Sequence, residues 1–414
     1  MIKLNVLISA YAVSPTWGSE PGMGWNWIIN IAKYCNVHVI TEGEWRNEIL
    51  EAVKELPQKD NLHFYFNPVP GKVRLMCWNQ GDWRFYWYYR KWQKKSLTIA
   101  KEIIAKNQID IAHQLNMIGF REPGYFWKIK DIPLVWGPIG GMGNINERFL
   151  KDVNLRFLLF NRIKNVINNL QIHFHPRVRK MIKASRLIAA TIESKKEIKE
   201  YYNKDSELIN ETGGDIQTEI CDREFVKDGV LKVIWIGKFD FRKRLDIAIK
   251  SISASGNSKI ELSICGEGTK EQIKQYKQLC ESLDLNNRVS FLGKIPHSQI
   301  LSLLRKSDLL LFSSIGDATS TVVSEAVSVG LPILSHNICG FGPIVDEYAG
   351  WAIPAIDTDT SIKEFGRLLD HLQKNPKELL KKSNDALENR YKLSWDYKMN
   401  KLLNIYMSVS KRSR

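Results

Sequence analysis

Short runs of apolar, often β-branched residues alternate with longer amphipathic stretches along the whole chain. Such runs, separated by helix-length segments, are typical of parallel strands covered by helices on both faces. In the first half we predict strands at residues 3–9, 37–41, 62–66, 110–114, 134–136 and 187–191. In the second half we predict strands at residues 232–236, 261–265, 289–292, 309–312, 332–334 and 351–353.

Two such series predict an α/β protein with two doubly wound, Rossmann-like domains. A chain of 414 residues is also long for a single core. Residues 210–230 are rich in Gly and acidic residues and lack a clear period, so we place the linker there. The predicted domains are residues 1–210 and 211–393, with a last helix at about 394–414 that can pack back on the first domain.

Composition narrows the class of protein. The net charge of +15 favours polyanionic partners, which include nucleic acid, anionic membranes and phosphate-bearing substrates. The N-terminus enters a strand pattern without the layout of a secretory signal, and no run of apolar residues is long enough to span a membrane. The six Cys are scattered, which favours free thiols in the cytoplasm and argues against zinc.

A glycine-rich turn follows the first predicted strand and opens a helix, at residues 18–33. Gly18, Gly22 and Gly24 let the backbone approach a ligand closely. The helix N-terminus offers N–H groups and a positive dipole end to a phosphate or a sugar oxygen. The alternative is a loop that only packs tightly.

Two motifs follow strands of the second domain. Lys238, Arg242, Lys243 and Arg244 come after the strand at 232–236, where parallel sheets bind ligands, and a diphosphate needs such cations. The next strand ends in a Gly-X-Gly turn, Gly266 to Gly268, that opens another helix. The alternatives are a solvated basic turn and an ordinary glycine turn.

A third motif places two carboxylates around a helix start. Asp317 and Glu325 are separated by seven residues, which include Thr319, Ser320 and Thr321. We expect the backbone N–H groups of these hydroxyl residues at the start of a helix from about residue 322, with Glu325 one turn further on. A carboxylate there can accept hydrogen bonds from both hydroxyls of a ribose.

This half of the chain resembles the nucleotide-binding domain of the family 4 glycosyltransferases. That family has the GT-B fold, in which two Rossmann-like domains face a central cleft. Its motifs are a Gly-Arg turn, a Lys five residues later, a Gly-X-Gly turn, two Glu separated by seven residues, and a Gly-Leu/Thr-Pro strand. The matching residues are Gly237, Lys238, Lys243, Gly266, Gly268, Asp317, Glu325 and Gly330 to Pro332.

The resemblance implies roles for these residues. Lys238 and Lys243 would bind the diphosphate, and Glu325 the ribose, with Gly266, Gly268, Thr319, Ser320 and Thr321 completing the donor site. In the first half, Gly22 matches the N-terminal loop glycine, and His113 in "AHQLN" matches a histidine near the transferred sugar. His113 and Asp317 would then be the catalytic pair that positions the donor sugar.

Four departures from the family pattern stand out. Lys238 replaces the usual Arg, so the bidentate hydrogen bonding of a guanidinium to phosphate is lost. Asp317 replaces a Glu, and Arg244 replaces the Gly that follows the basic Lys. The Gly-Phe-Gly between the two carboxylates is replaced by Ala318, Thr319 and Ser320. None removes a functional group that the proposed chemistry needs.

The resemblance implies a retaining, metal-independent hexosyltransferase in polysaccharide or glycolipid biosynthesis. It would use a UDP- or GDP-sugar, no cofactor, and a lipid-linked or surface-glycan acceptor. A sugar-nucleotide epimerase or a phosphorylase on the same architecture is an alternative enzyme. A nucleic-acid or nucleotide-sugar binding protein without transferase activity is the other alternative, although no nucleic-acid motif is present.

Two segments of the first half predict a peripheral site on the inner face of the cytoplasmic membrane. Residues 76–95 hold four Trp, three Tyr and one Phe among basic side chains. Residues 153–183 hold seven Lys and Arg and no Asp or Glu. Trp, Tyr and basic residues favour a membrane interface, so we expect an anionic membrane surface as a partner. The alternative is a helix whose aromatic face belongs to the core.

Overall fold

The computed structural model describes residues 3–79, 82–117, 119–151, 153, 155–214, 223–317 and 320–410, with the backbone alone at His297. The chain forms two compact units. Unit 1 comprises residues 1–143, 166–211 and 395–414, and unit 2 comprises residues 144–165 and 212–394. The sequence-based boundaries differ from this division chiefly at residues 144–165, which we had placed in the first domain.

Unit 1 contains a parallel sheet in which the strand order is β3-β2-β1-β4-β5-β6-β7. Its central strands are almost wholly buried because helices cover both faces. All six strands predicted for this half are present, and the short edge strand β7 is additional. The strands are β1 Asn5–Ala10, β2 Asn36–Thr41, β3 Leu62–Phe66, β4 Ile111–Asn116, β5 Leu134–Ile139, β6 Ser185–Ala189 and β7 Ser206–Leu208.

Helices of the first part of the chain connect these strands. The longest, α4, buries Phe85, Tyr89 and Trp92 on one side, so the aromatic segment at 76–95 is partly core. The helix α5 crosses from unit 2 into unit 1 after Asn165. The helices are α1 Ser19–Ile31, α2 Arg46–Lys54, α3 Gly71–Trp78, α4 Arg84–Lys106, α5 Leu155–Phe174, α6 Pro176–Ala184 and α7 Ile192–Tyr202.

Unit 2 contains a second parallel sheet, in the order β10-β9-β8-β11-β12-β13. All six strands predicted for this half are present. The first two run two residues further than predicted, because Gly237 and Lys238 pair with Gly266 and Glu267. The strands are β8 Leu231–Lys238, β9 Ile260–Glu267, β10 Val289–Gly293, β11 Leu309–Phe312, β12 Ile333–His336 and β13 Gly350–Ile353.

In unit 2, a capping box marks the start of α9. Thr269 accepts from the Gln272 backbone N–H at 3.2 Å while the Gln272 side chain accepts from the Thr269 N–H at 2.8 Å, which fixes the start of α9. The helices are α8 Leu245–Ala254, α9 Lys270–Ser282, α10 His297–Arg305, α11 Thr321–Ser328, α12 Gly342–Ile344, α13 Thr358–Lys374 and α14 Pro376–Asn389.

Residues 144–165 belong to unit 2 because their side chains enter its core. Phe149 is buried among the apolar side chains of that sheet. The Arg244 guanidinium donates to the Phe149 carbonyl at 3.2 Å, and the Asn146 amide donates to the carbonyls of Ala355 and Ile356 at 3.1 and 2.9 Å. These contacts are between residues far apart in sequence, so local pattern did not reveal them.

The last helix, α15 (Trp395–Val409), packs in unit 1. Met399, Leu402 and Tyr406 lie in the core beside β1 and β4. Lys398 is buried and donates to the Asn210 carbonyl at 3.2 Å. Among the helices of the described residues, none combines the length and the apolar character that crossing a membrane requires.

Candidate functional site

The candidate site of unit 2 lies at the carboxyl edge of its sheet. From β8 the chain winds outward through β9 and β10, then returns to β11 on the other side of β8. The gap between β8 and β11 is therefore the topological switch point, where open α/β sheets form a ligand crevice. The predicted donor-site residues that follow β8, β9 and β11 share this edge.

Lys238 ends β8 and is exposed, opposite Glu267 on β9. A side chain on Gly266 would place its Cβ 1.8 Å from the Gly237 carbonyl oxygen, and one on Gly268 would lie 2.7 Å from Phe239. Close packing of the two strand ends thus accounts for both glycines. Their contact with a donor stays a prediction.

Lys243 and Asp317 form an ion pair, although the sequence separates them by 74 residues. Their side chains are 18% and 23% exposed, so the pair is shielded but reachable. The Lys243 ammonium also lies 5.0 Å from the centre of the Phe312 ring. The structure therefore brings the predicted phosphate ligand and the predicted sugar ligand into direct contact.

Arg244 adopts the left-handed backbone conformation, with φ 49° and ψ 50°. Glycine adopts this conformation without strain, which explains why the family has glycine here. The Arg244 side chain is buried and donates to both carboxylate oxygens of Asp246, at 2.9 and 2.7 Å, and to the Thr358 hydroxyl at 3.1 Å. The arginine thus belongs to the packing of unit 2.

The helix α11 begins at Thr321, one residue before the predicted start. Ser320 is its buried N-cap residue and makes no side-chain capping bond, while Thr321 is exposed. Thr319 lies outside the described residues. The N-terminus of α11 lies at the edge of the sheet where β11 ends, since only residues 313–320 separate the strand from the helix.

Glu325 is half-buried on α11 and lines a cavity of about 440 Å³. The walls of this cavity are mostly apolar, and Thr321 and Lys294 contribute polar groups. Lys294 also pairs with Glu267 at 2.9 Å. An apolar cleft that contains one carboxylate suits a flat ring joined to a diol. The apolar walls are Ile236, Ile295, Pro296, Ile300 and Val322.

Unit 1 has its own switch point, between β1 and β4. Gly22 lies inside the first turn of α1 and is buried, and a Cβ there would come 2.3 Å from the Trp17 carbonyl oxygen. The Ser14 N–H donates to the Pro21 carbonyl at 3.0 Å, which holds the loop against the helix. Close packing against the chain's own loop thus accounts for Gly22, and its contact with a donor stays a prediction.

His113 lies within β4 and is completely buried, whereas we predicted a strand end near the transferred sugar. Its Nε2 donates to the Gly137 carbonyl at 2.8 Å, and its Nδ1 accepts from the Tyr406 hydroxyl at 2.6 Å. Desolvation lowers the pKa of His113 to about 4, so the ring is neutral at pH 7. With both nitrogens bonded within unit 1, His113 offers no free nitrogen to a sugar in this structure, and we propose a structural role for it in place of the catalytic one.

A cavity of about 230 Å³ opens in unit 1 beside Met117 and Gly119, just after β4. Aromatic side chains line it together with Arg121 and two carboxylates. This was not predicted from the sequence, since Arg121 stands in no motif. The remaining lining residues are Glu20, Phe85, Tyr86, Tyr89 and Glu122.

Residues 217–393 match the family model described as glycosyl transferases group 1. This is a glycosyl transferase domain. The matched segment covers the sheet of unit 2 and every predicted donor residue of that unit. The resemblance to a glycosyltransferase family inferred from the sequence motifs is confirmed.

Named relatives agree with this assignment. The GPI3 subunit of the phosphatidylinositol N-acetylglucosaminyltransferase of Saccharomyces cerevisiae is 28% identical over 31% of this chain and 28% of its own length. The D-inositol 3-phosphate glycosyltransferase of Corynebacterium glutamicum is 22% identical over 54% of this chain and 57% of its own. The aligned region thus spans under a third of the first of these relatives.

Solved structures establish the fold. A glycosyltransferase from Rickettsia africae superimposes with a TM-score of 0.63 at 16% identity, covering 98% of both chains. The Anabaena protein Alr3699/HepE, solved with UDP and glucose, gives a TM-score of 0.58 at 14% identity and covers 98% of this chain and 100% of that one. The GT-B fold predicted from the sequence is therefore confirmed.

Within the glycosyl transferase domain, the structure brings Lys238, Lys243, Asp317, Thr321 and Glu325 to one edge of the sheet. Lys294 and Pro296 join them from the turn after β10, and sequence reasoning missed both. A signal was present, because a basic residue directly follows the strand that ends at Gly293. Recognising that β10 ends at the same edge would have identified them.

Proposed function

We propose that this protein is a retaining, metal-independent glycosyltransferase. It transfers a sugar from a UDP- or GDP-sugar to a lipid-linked or surface-glycan acceptor at the inner face of the membrane. No cofactor besides the donor substrate is needed. The observation that carries the proposal is the position of Glu325 in an apolar cavity on the edge that also holds Lys243.

The cavity in unit 2 suits a nucleoside. Ile295 and Pro296 offer a flat apolar wall to a base, and the Glu325 carboxylate can accept hydrogen bonds from ribose hydroxyls. Hydrogen bonds to a charged group are the stronger kind, so Glu325 would dominate the affinity of this end of the donor. In this proposal the base occupies the cavity and the sugar lies beside Asp317.

The diphosphate would lie at the ends of β8 and β11. Lys243 would exchange its ion pair with Asp317 for the phosphate, which frees Asp317 to hold the sugar. Lys238 and the N-terminus of α11 add positive potential where negative charge develops on the leaving group. Because these groups supply the positive charge, we expect transfer to proceed without a metal ion.

The names of similar proteins support the substrate classes. Two relatives are named for acceptors that contain inositol phosphate, one of them a phospholipid. The Anabaena structure was solved with UDP and glucose. We therefore favour a UDP-sugar donor and a glycolipid acceptor for this chain.

The helix α5 supports a membrane location. Its outward face is a stripe of exposed apolar side chains that recur every three or four residues. Arg156 and Lys164 flank the stripe together with Arg162, which pairs with Glu147 at 3.1 Å, and an unpaired cation near an anionic surface contributes about 1 kcal/mol. Apolar and basic residues together favour an anionic bilayer surface over water. The stripe consists of Leu155, Leu159, Phe160, Ile163, Val166, Ile167, Leu170 and Phe174.

A protein that binds nucleotide sugars without transferring them is the second candidate. The ion pair between Lys243 and Asp317 favours it, because both groups that would act on the donor neutralise each other here. Binding assays cannot separate the two candidates, so the decisive readout is transfer.

The test is incubation of the full chain with membranes and a panel of radiolabelled UDP- and GDP-sugars, with and without EDTA. The account predicts label in the lipid fraction from one donor, with unchanged yield in EDTA. Donor binding without any transfer or hydrolysis would favour the second candidate. Loss of transfer in EDTA, restored by magnesium, would overturn metal independence.

Sedimentation with vesicles tests the membrane location. At about 0.15 M salt the chain should bind vesicles rich in anionic lipid more than neutral ones. The double variant Phe160→Asn, Ile163→Asn should reduce that binding about tenfold or more, because it removes two apolar side chains from the stripe. Leu380→Asn, on the exposed face of α14, is the matched control and should bind normally. Equal binding by all three proteins would contradict the role of α5.

A further inference from the structure

Arg121 stands at the carboxyl edge of the unit 1 sheet, in the cavity after β4. Its Nε donates to the Gln171 side-chain oxygen at 2.8 Å, and a terminal N–H donates to the Asn168 side-chain oxygen. Both partners are neutral amides. Among the described residues, no carboxylate lies within ion-pair distance of this guanidinium.

The neighbouring Glu122 shows the opposite arrangement. Its carboxylate is 5% exposed and pairs with Arg90 and Arg177, each at 2.6 Å. Arg121 is the one basic side chain among the described residues that line the cavity, and the two arginines that pair with Glu122 lie outside this lining. Glu122 is thus neutralised by Arg90 and Arg177, whereas Arg121 keeps a positive charge that no ion pair among the described residues neutralises.

The remaining walls of the cavity suit a sugar ring. Phe85, Tyr86 and Tyr89 supply flat apolar surface, and Glu20 supplies a carboxylate that can accept from hydroxyl groups. A ligand that satisfies the whole cavity therefore carries a ring with hydroxyls and an anion. A guanidinium binds phosphate oxygens with charge-assisted hydrogen bonds.

We infer that Arg121 binds the phosphate group of a sugar-phosphate acceptor, with the sugar ring against Tyr86. The inference rests on the proposed function, which it deepens by naming the acceptor class. The guanidinium is partly buried, and desolvation lowers its pKa, yet arginine stays protonated near neutral pH. Its charge is therefore available to the phosphate throughout the physiological range.

The position of Arg121 favours a phosphate carried by a lipid. Asn168 and Gln171, which hold the guanidinium, lie on α5, and Asn168 is buried. Val166, Ile167 and Leu170 of the same helix turn outward as part of the exposed apolar stripe. A helix seated at a bilayer surface would thus hold Arg121 close to the level at which lipid phosphates lie.

The first test is calorimetry of the full chain with glucose 1-phosphate, glucose and glucuronate, in saturating UDP so that the donor site is filled. Glucose 1-phosphate should bind about tenfold or more tightly than the other two, and Arg121→Gln should abolish that preference. Arg179→Gln, at an exposed arginine on α6 of the same unit, is the matched control. An unchanged preference in Arg121→Gln, or equal binding of glucuronate, would overturn the inference.

Two further measurements keep the outcomes distinct. Arg121→Lys keeps the charge and should retain part of the preference, and both variants should bind UDP normally if they fold, because that site lies in unit 2. If the wild-type chain binds no UDP, the proposed donor function fails, and glucose 1-phosphate can be titrated in Lys243→Gln to test Arg121 alone.

Vesicles identify the source of the phosphate. Binding to phosphatidylcholine vesicles that contain phosphatidic acid should weaken in Arg121→Gln if the phosphate belongs to a lipid. Dependence on Arg121 for glucose 1-phosphate alone would support the phosphate site and assign it to a soluble sugar phosphate. Dependence in neither assay would overturn the inference.

Discussion

The carboxyl edges of the two sheets hold their polar groups in opposite ways. In unit 1, His113 bonds with both ring nitrogens and Glu122 is covered by two arginines, so the protein itself satisfies these groups. In unit 2, Lys238 is exposed and Lys243 and Asp317 remain partly accessible. A polar group already satisfied by the fold has little left to offer a ligand, whereas an accessible charge has.

Both units contain a completely buried histidine in the sheet. His336 on β12 is buried as completely as His113, lies 3.1 Å from the Ser314 carbonyl and 2.9 Å from the Ser361 hydroxyl, and has its pKa lowered to about 4 by desolvation. Each sheet thus carries a neutral histidine that ties neighbouring segments together. Burial and partners, rather than residue type, separate such a histidine from a catalytic one.

Substitution of Lys243 is the strongest test of this difference between the two units. Replacing it with Ala should reduce transfer by about 100-fold or more, because a positioned charge that stabilises the leaving group is lost. The exposed Lys274→Ala on α9 is the control and should transfer normally. Full activity in Lys243→Ala would show that the accessible charge of unit 2 does not act on the donor.

His113→Ala tests whether the buried histidine of unit 1 acts only in stability. It should lower the free energy of unfolding by about 3 kcal/mol, since it leaves a cavity and removes the partners of Gly137 and Tyr406. Turnover per folded molecule and UDP affinity should stay unchanged. Denaturant unfolding and a transfer assay on the same preparation measure both. Normal stability with lost turnover would restore the catalytic role we first predicted.

Acid unfolding tests whether the two buried histidines are neutral in the folded protein. The folded pKa of His113 and His336 lies near 4, below the ordinary value of 6.5, so the unfolded chain binds more protons between these pH values. The free energy of unfolding should therefore fall as pH drops from 6.5 towards 4, by at most about 3 kcal/mol for each histidine. A His336→Gln variant should show a shallower fall, and an identical pH profile would contradict neutral burial.

The fold could be predicted from the sequence because buried parallel strands produce a strong local pattern of apolar residues. Every predicted strand is present, while β7 was missed because it is a three-residue edge strand. The last helix was predicted, and its place in unit 1 depends on contacts such as that of Tyr406 with His113, 293 residues away. Such contacts leave no trace in local sequence.

The site of unit 2 was largely predictable for the same reason. Its residues follow strands, and parallel strands bring their carboxyl ends to one edge. The sequence pattern did not reveal that Lys243 pairs with Asp317. It also did not show that Arg244 anchors Phe149, which moves residues 144–165 into unit 2.

The site of unit 1 was harder to predict. We expected His113 at a strand end, but it lies inside β4, which β1 and β5 flank in the sheet. Arg121 was missed because it is notable only for lacking an ion pair among the described residues. That can be seen only in the three-dimensional structure. Both depend on non-local contacts.

The most direct test of the account is calorimetry of UDP and GDP with the wild-type chain and Glu325→Gln. The account predicts that one nucleotide binds the wild type, and that the variant loses about 1 to 3 kcal/mol of binding free energy while unfolding at the same denaturant concentration. Glu388→Gln, on α14, should bind as the wild type does. Unchanged affinity in Glu325→Gln would contradict a ribose-binding carboxylate in this cavity, and with it the proposed donor site.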